Sequence, residues 1–123
     1  MKKENLLSIG ALSKQTGVHI KSLRYYDSLG ILHPAYVDPS NGYRYYSLQQ
    51  TPVVDAIQLC IELDIPLKQF TDYYLDSTSQ IHYSKLIERG TRLAKEKIQA
   101  IQERLTKLDK MRSESDIFHF VRL

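Results

Sequence analysis

The triplet Arg-Tyr-Tyr occurs twice in this sequence, as Arg24-Tyr25-Tyr26 and as Arg44-Tyr45-Tyr46. Arginine presents a forked set of donors that suits phosphate, while tyrosine combines a hydroxyl donor with a ring that packs along a sugar. The first triplet lies in a helical pattern, and the second lies in a strand-like pattern that follows a turn. Because two different elements carry one surface chemistry, we expect the triplets to share a target.

The size and composition limit what the chain can be. Its 123 residues, 42% of them hydrophobic, predict one domain, or a small domain plus an extension, with a modest core. No apolar run approaches the length of a membrane span, and Met1-Lys2-Lys3-Glu4 does not match a signal peptide. The lone Cys60 excludes an internal disulfide framework and agrees with a reducing compartment. We therefore expect a cytoplasmic protein without membrane contact.

The charge is distributed unevenly along the chain. Residues 1–47 carry six Lys/Arg against three acids, residues 48–80 one against five, and residues 81–123 ten against six. Basic ends therefore flank an acidic middle. This pattern gives weak support for an anionic partner, because a solvated surface can look similar.

Two short helices begin the folded part of the sequence. Ser8 is placed to cap the first and Gly17 to end it, while the second runs from about His19 to Leu29. Helices joined by such a glycine-containing turn are typical of a helix-turn-helix. The second helix presents an apolar stripe, and three polar residues lie away from that stripe, namely Lys21, Arg24 and Tyr25.

A β-hairpin follows the two helices. Tyr36-Val37 and residues 43–46 are strand-like, and the stretch between them, Asp38 to Gly42, is rich in turn formers. A helix-turn-helix with a small hairpin is a winged helix, and the wing is a second element through which such a fold can touch DNA.

The third helix has two alternative starts. Ser47 with Gln50 forms a capping-box pattern, whereas Thr51 as cap would place Pro52 at the first helical position. A fourth short helix is predicted from Pro66 to about Leu75, which ends a winged-helix domain at residues 6–75. Residues 76–79 then read as a linker.

A long helix is predicted over residues 80–112. Five apolar residues follow the four-three spacing of a coiled-coil seam: Ala94, Ile98, Ile101, Leu105 and Leu108. A small winged helix cannot bury so long a stripe, so we expect the same helix of a second subunit to cover it. Residues 113–123 form either a tail or the start of an effector domain that this chain lacks, and 117–123 read as a strand.

The stretch SIGALSKQTGVHIKSLRYYDSLGIL, followed by NGYRYYS, resembles the DNA-binding domain of the MerR family of bacterial transcription regulators. The multidrug-responsive activators are the most similar branch. The resemblance implies a mainly α fold, with a winged helix-turn-helix and a long C-terminal helix that forms an antiparallel coiled coil in a homodimer. It also implies binding to a pseudo-palindromic promoter operator, distortion of that DNA so that RNA polymerase can engage the promoter, and a small-molecule inducer of unknown identity.

The same resemblance assigns DNA contacts to both triplets. The expected contacts are Lys21, Arg24, Tyr25, Tyr43, Arg44 and Tyr45. The second tyrosine of each triplet, Tyr26 or Tyr46, is expected to pack inward. The alternative for the tyrosines is that they only pack the core or the wing.

Other functions have little support in the sequence. The family's metal sensors carry cysteines at both ends of the dimer helix, which this chain lacks, and Cys60 lies on an apolar helix face. The four histidines are dispersed, and no phosphate-binding loop or catalytic motif is present. We therefore expect no metal, no cofactor and no catalytic residue. An architectural winged-helix DNA-binding protein without an effector response is the alternative function.

Overall fold

The structure, a computed structural model, describes residues 5–75 and 80–121, and side chains as far as residue 115. The chain divides into two compact units, residues 1–86 and 87–123. The first unit contains the helix-turn-helix and the wing, and the second consists of most of the long helix. The prediction of a mainly helical winged fold is confirmed.

The first unit opens with strand β1 (Leu6–Ser8), helix α1 (Ile9–Thr16) and helix α2 (Ile20–Ser28). Ser8 Oγ accepts from Ala11 N at 3.1 Å and so caps α1, as the sequence predicts. Gly17 ends α1 with a φ of 73°, a left-handed conformation that glycine adopts without a steric penalty. This tight ending leaves room for only a short turn before α2.

The wing is a three-stranded antiparallel sheet in the order β1-β3-β2, with β2 at Tyr36–Val37 and β3 at Arg44–Ser47. The β2–β3 hairpin is the predicted one, whereas the pairing of β1 with β3 was not predicted. That pairing places Leu7 opposite Tyr46. The central strand of the wing is therefore joined to the segment that leads into α1.

A 3₁₀ helix (Leu48–Gln50) and helix α3 (Thr51–Glu62) follow the sheet. Each alternative for the start of this region is right in part. The Ser47–Gln50 capping box forms, but it opens the 3₁₀ helix. Pro52 lies in the first turn of α3, with Thr51 as the first helical residue rather than the cap.

The segment after Pro66 is a 3₁₀ helix, Leu67–Tyr73, where an ordinary short helix was predicted. The predicted linker at residues 76–79 lies outside the described residues. Tyr74 lies between these two stretches and donates its hydroxyl to the Ile31 carbonyl. Burial raises the pKa of Tyr74 to about 12. This contact joins the segment after α3 to the segment after α2.

Helix α4 spans Tyr83–Val121, so the strand predicted at 117–123 is wrong as far as residue 121, and residues 122–123 lie outside the described part. The reason is that no glycine or proline occurs between Thr91 and Val121. A helix already formed gains one hydrogen bond for each added residue, whereas an isolated strand gains none.

The core of the first unit is formed by the helices, by Tyr46 of β3 and by the segments that connect these elements. Its buried apolar residues are Leu12, Val18, Leu23, Tyr26, Ile31, Leu32, Tyr46, Val53, Val54, Ala56, Ile57, Cys60, Ile65, Phe70, Tyr73, Ile81 and Leu86. Both tyrosines that were expected to pack inward are among them. This core fixes α2 and β3, the two elements that carry the Arg-Tyr-Tyr triplets.

Candidate nucleic-acid interface

Helix α2 presents the first group of candidate contacts. His19 Nδ1 accepts from Lys21 N at 3.1 Å and caps the helix start. Lys21 and Arg24 are exposed, and the Tyr25 side chain is 54% exposed. Tyr26 is buried, and Gln58 Nε2 donates to its hydroxyl at 2.6 Å. Burial raises the pKa of Tyr26. The buried Tyr26 therefore anchors the part of α2 that exposes Arg24 and Tyr25.

The wing tip presents the second group. Asp38 Oδ1 accepts from Ser40 N at 2.9 Å and Ser40 Oγ at 2.6 Å, and Asn41 Oδ1 accepts from Tyr43 N at 2.9 Å. Gly42 takes a φ of 72°, which the turn requires. These bonds shape the tip within a few residues and leave Tyr43 64% exposed.

Strand geometry separates the members of the second triplet. Successive side chains of a strand point to opposite faces. Arg44 and Tyr46 therefore share one face of β3, while Tyr45 lies on the other. There the Tyr45 ring lies 6.2 Å from the Tyr36 ring, centroid to centroid, across the β2–β3 pair. Tyr45 is only partly exposed, so it is a weaker candidate for a direct contact than Tyr43.

Asp27 at the end of α2 joins the recognition helix to the wing. Arg44 Nε donates to Asp27 Oδ2 at 2.5 Å, and Arg44 Nη2 donates to Asp27 Oδ1 at 3.0 Å. The Tyr46 hydroxyl donates to Asp27 Oδ2 at 2.8 Å. The carboxylate thus receives three hydrogen bonds from two residues of β3. We call this set, Asp27 with Arg44 and Tyr46, the clasp.

The electrostatics of the clasp follow from its geometry. The hydrogen bond to the Asp27 carboxylate, together with its negative charge, raises the pKa of Arg44. Burial, followed by the bond to Asp27, raises the pKa of Tyr46 well above its usual range. The Asp27 side chain is 11% exposed and that of Arg44 is 49% exposed. One edge of the Arg44 guanidinium is therefore paired with a carboxylate, and the rest of the side chain is open to solvent.

An open groove lies between α2 and the wing. Four of the six predicted contacts line it, together with Asp27 and Ser28: Arg24, Tyr43, Arg44 and Tyr45. The other two, Lys21 and Tyr25, are exposed on α2. Two guanidinium groups and the exposed Tyr43 in one groove can bind an anionic backbone.

Sequence reasoning missed Asp27 as a member of this site. The available signal was its position directly after the first triplet, three residues beyond Arg24 in RYYD. Nothing in that spacing identifies Arg44 as its partner, because the bond spans seventeen residues and depends on the fold of the hairpin.

Helix α4 carries the predicted seam. Ile98, Ile101, Leu105 and Leu108 are each more than half exposed, while Ala94 is partly exposed. Ile87, one heptad before Ala94, and Met111 are also exposed and were not predicted. An exposed apolar stripe of this length is unusual in a soluble protein and is typical of an interaction surface.

The described residues contain neither a membrane-spanning helix nor a cluster of metal-ligating side chains. Residues 5–75 and 80–121 contain no helix that is both long and apolar enough to span a bilayer. No group of three or more His, Cys, Asp or Glu residues in these ranges could hold a metal ion. The buried Cys60 lies in the core of the first unit.

The helix-turn-helix and the wing are similar to those of known proteins. Residues 8–46, which run from the cap of α1 through Tyr46, match the family described as "MerR family regulatory protein". The chain is 45% identical over 67 residues to the multidrug-efflux transporter 1 regulator of Bacillus subtilis, a match that covers 54% of this chain and 24% of that protein. It is 32% identical over 109 residues to the transcriptional regulator BrlR of Pseudomonas aeruginosa, covering 85% and 40%. The chain therefore spans well under half the length of these relatives.

A solved structure has the same fold. The cryo-EM structure described as "EcmrR-DNA complex in EcmrR-RPo" has a TM-score of 0.58 and 30% identity, and the match covers 83% of this chain and 37% of that one. The relative named as a multidrug-efflux regulator agrees with the branch that the sequence resembles. Residues 8–46, which form the helix-turn-helix and the wing, therefore match the MerR family of regulatory proteins, and the chain is similar over 85% of its length to a protein named as a transcriptional regulator.

Proposed function

We propose that this chain binds a pseudo-palindromic promoter operator as a homodimer and distorts the DNA to control transcription. The observation that carries the proposal is the groove between α2 and the wing, where Arg24, Tyr43 and Arg44 lie together on one surface. The chemistry of these residues suits a sugar-phosphate backbone, and α2 is the element that reads base edges in a helix-turn-helix. The role is regulatory and requires no catalytic residue.

The roles of the contacts divide by element. Lys21, Arg24 and Tyr25 on α2 bind the edge of the major groove or its phosphates. Tyr43 and Arg44 on the wing bind backbone phosphate and sugar, with Tyr45 supporting them from the opposite face of β3. Phosphate contacts set affinity and register, and base contacts set sequence preference.

The dimer in this proposal forms through α4. The exposed stripe from Ala94 to Leu108 is covered by the same stripe of a second copy, in an antiparallel coiled coil. A two-fold dimer presents two copies of the groove, so its operator has two half-sites related by a dyad. Distortion of the DNA between the half-sites is the route by which RNA polymerase is affected indirectly.

The relatives' names extend the proposal to efflux. Two curated relatives are named regulators of multidrug-efflux transporters. We therefore propose that the target genes include a gene for an efflux transporter and that a small-molecule inducer acts on the regulator. The chain spans too little of those relatives for a residue of an inducer site to be proposed.

Selection from a pool of random-sequence duplexes tests the DNA-binding proposal. The expected product is a set of duplexes with dyad symmetry, each bound by one dimer in a gel-shift titration. Arg24→Ala should weaken binding to the selected duplex. A selection that enriches no sequence over the starting pool would contradict operator recognition.

Sedimentation of an α4 variant tests the dimer. Ile101→Asp with Leu105→Asp places two charges in the stripe, where burial of an unpaired charge is prohibitive, so the variant should be monomeric. Gln99→Asp with Thr106→Asp adds the same charge to exposed positions outside the stripe and should leave the dimer intact. A stripe variant that remains dimeric at micromolar concentration would refute this interface.

Distortion of the DNA is tested on the same duplex. Fluorophores at its two ends report the end-to-end distance, which should shorten when the dimer binds a bent operator. An unchanged distance at saturating protein would contradict the proposed distortion of the operator.

A further inference from the structure

The clasp places an acid inside the surface proposed to meet DNA. Asp27 lines the same groove as Arg24 and Arg44. A carboxylate near phosphates is repelled by them, so on charge alone its removal should strengthen binding. Because its charge opposes DNA binding, we look for another role of Asp27 in the site. The three hydrogen bonds that it accepts from Arg44 and Tyr46 indicate a structural one.

The bonds of the clasp cross between the two DNA-facing elements. Arg44 and Tyr46 lie seventeen and nineteen residues from Asp27 along the chain. The β2–β3 pair itself consists of two registered residue pairs, Tyr36 with Tyr45 and Val37 with Arg44. Short hairpins are only marginally stable by themselves. A charged, bidentate contact to α2 therefore constrains where the wing lies relative to the recognition helix.

The clasp also orients the Arg44 side chain. A guanidinium has five N–H donors, of which the Asp27 carboxylate takes two. The side chain remains 49% exposed, so donors are left for a second anion. A guanidinium held on one edge loses less conformational freedom when the other edge meets a phosphate.

We propose that Asp27 is a positioning residue for DNA recognition, which holds the wing against the recognition helix and orients Arg44 toward a backbone phosphate. The inference rests on the DNA-binding function proposed above. Asp27 itself touches no DNA in this proposal. It acts through Arg44 and, by way of the Tyr46 hydroxyl, through the position of β3.

Asp27→Asn gives a test in which charge and positioning predict opposite signs. The substitution keeps the shape and one acceptor oxygen, which can still serve the Tyr46 hydroxyl and Arg44 Nε, but it places an amide N–H₂ opposite Arg44 Nη2, where an acceptor is needed. Positioning predicts binding to the selected operator about tenfold weaker, the size expected when a coupled pair is broken. Charge alone predicts tighter binding. The measurement is a gel-shift or fluorescence titration at several salt concentrations.

The salt dependence separates positioning from the loss of a phosphate contact. Because Asp27→Asn keeps the Arg44 charge, the slope of log affinity against log salt should not decrease. The weakening should be greater on the operator than on unrelated DNA of equal length, since only the operator requires α2 and the wing in register at once. A variant equally weakened on both would contradict the positioning role.

Arg44→Lys provides an independent variant. Lysine retains the charge but lacks the fork that matches the Asp27 carboxylate. If Arg44 acts only as a charge near phosphate, Arg44→Lys should bind as the wild type does. If Asp27 acts through Arg44, Arg44→Lys should be weakened to a similar extent as Asp27→Asn, and the double variant should be no weaker than either single one.

Asp72→Asn is the matched control. It removes the same charge from an exposed residue of the first unit that does not line the groove. It should bind operator as tightly as the wild type. Circular dichroism and thermal unfolding of each variant establish that the first unit is folded. If Asp27→Asn is unfolded, the test rests on Arg44→Lys.

The outcomes separate the two proposals. If the wild type selects no DNA sequence, the proposed function fails and this inference fails with it. If the wild type selects an operator but Asp27→Asn binds it equally or more tightly, the function stands and the positioning role of Asp27 is wrong.

Discussion

The two Arg-Tyr-Tyr triplets have the same residues in different surroundings. In α2, Arg24 and Tyr25 are exposed and Tyr26 is buried. In β3, Tyr46 is buried, Tyr45 faces Tyr36, and Arg44 is bound to Asp27. Consecutive helical residues are rotated by about 100°, so a triplet can turn two side chains outward and one inward.

A strand distributes the same three residues differently. Its period of two places Arg44 on the side of Tyr46, and that side faces the end of α2. The third residue of each triplet, Tyr26 or Tyr46, is therefore buried and anchors the triplet. Only in β3 is the arginine coupled to this tyrosine, because Arg44 and Tyr46 both donate to Asp27. The secondary-structure element, and not the triplet itself, therefore decides whether its arginine joins a hydrogen-bond network within the protein.

The largest expected difference is in the free energy of unfolding, between variants of a buried tyrosine and variants of an exposed tyrosine of the triplets. Tyr46→Ala removes a side chain with no exposed surface and should lower the free energy of unfolding by about 3–5 kcal/mol. Tyr25→Ala removes a ring that is 54% exposed and should change it by no more than about 0.5 kcal/mol. Urea unfolding measures both. Equal losses would mean that the two tyrosines are not divided between anchor and surface.

The next expected difference concerns sequence preference. Arg24 lies on the recognition helix, where an arginine can donate to a guanine edge. Arg24→Ala should then reduce discrimination between the operator and a mutated operator by about 1–3 kcal/mol. Titration of both duplexes with wild type and variant measures this. A variant with unchanged discrimination would place Arg24 on phosphate alone.

Arg44→Ala should act differently, since the wing arginine is proposed to meet phosphate. A dimer carries the residue twice, and each phosphate contact contributes roughly 0.9 to the salt slope, so the slope should decrease by about 2. Binding to unrelated DNA should weaken through the lost phosphate contact, and binding to the operator should weaken further because the contact with Asp27 is lost as well. Tyr46→Phe retains every cation and should leave the slope unchanged. An unchanged affinity and slope for Arg44→Ala would show that Arg44 does not bind a phosphate.

Local patterns predicted most of the fold. Ser8, Gly17 and the turn formers from Asp38 to Gly42 act within a few residues of themselves, so their effects can be read from sequence. The inward packing of Tyr26 and Tyr46 also followed from periodicity and the resemblance. The ends of elements were less predictable. The strand expected after residue 116 was wrong because its loose alternation competes with a helix that nothing interrupts.

The long-range part of the site was not predictable in the same way. The pairing of β1 with β3 and the bond between Asp27 and Arg44 depend on where the chain returns after the hairpin. The coiled-coil spacing predicted the exposed stripe from Ile98 to Leu108, but periodicity does not show what covers it. Periodicity therefore indicated which residues of α2 and β3 lie on the surface, but it did not indicate how these residues are coupled to one another.

The smallest expected difference concerns the hydroxyl groups at high pH. Burial, followed by the bond to Asp27, raises the pKa of Tyr46 above the value of about 10 for an unfolded chain. Above that pH the unfolded chain releases a proton that the folded chain retains, so the free energy of unfolding falls as pH rises. Below pH 10 both states are protonated and this contribution to stability is intact.

In Tyr46→Phe, position 46 no longer releases a proton when the chain unfolds at high pH. Between about pH 10 and 12, its free energy of unfolding should fall less steeply than that of the wild type, by up to about 1.4 kcal/mol per pH unit. Tyr26 and Tyr74, whose pKa values are also raised by burial, remain in both proteins and cancel in the comparison. Tyr25→Phe, which removes a hydroxyl from an exposed ring, should keep the wild-type slope. Urea unfolding at a series of alkaline pH values measures the difference. Identical slopes for Tyr46→Phe and Tyr25→Phe would mean that the anchor tyrosine of the wing is not distinguished from the surface tyrosine of the helix.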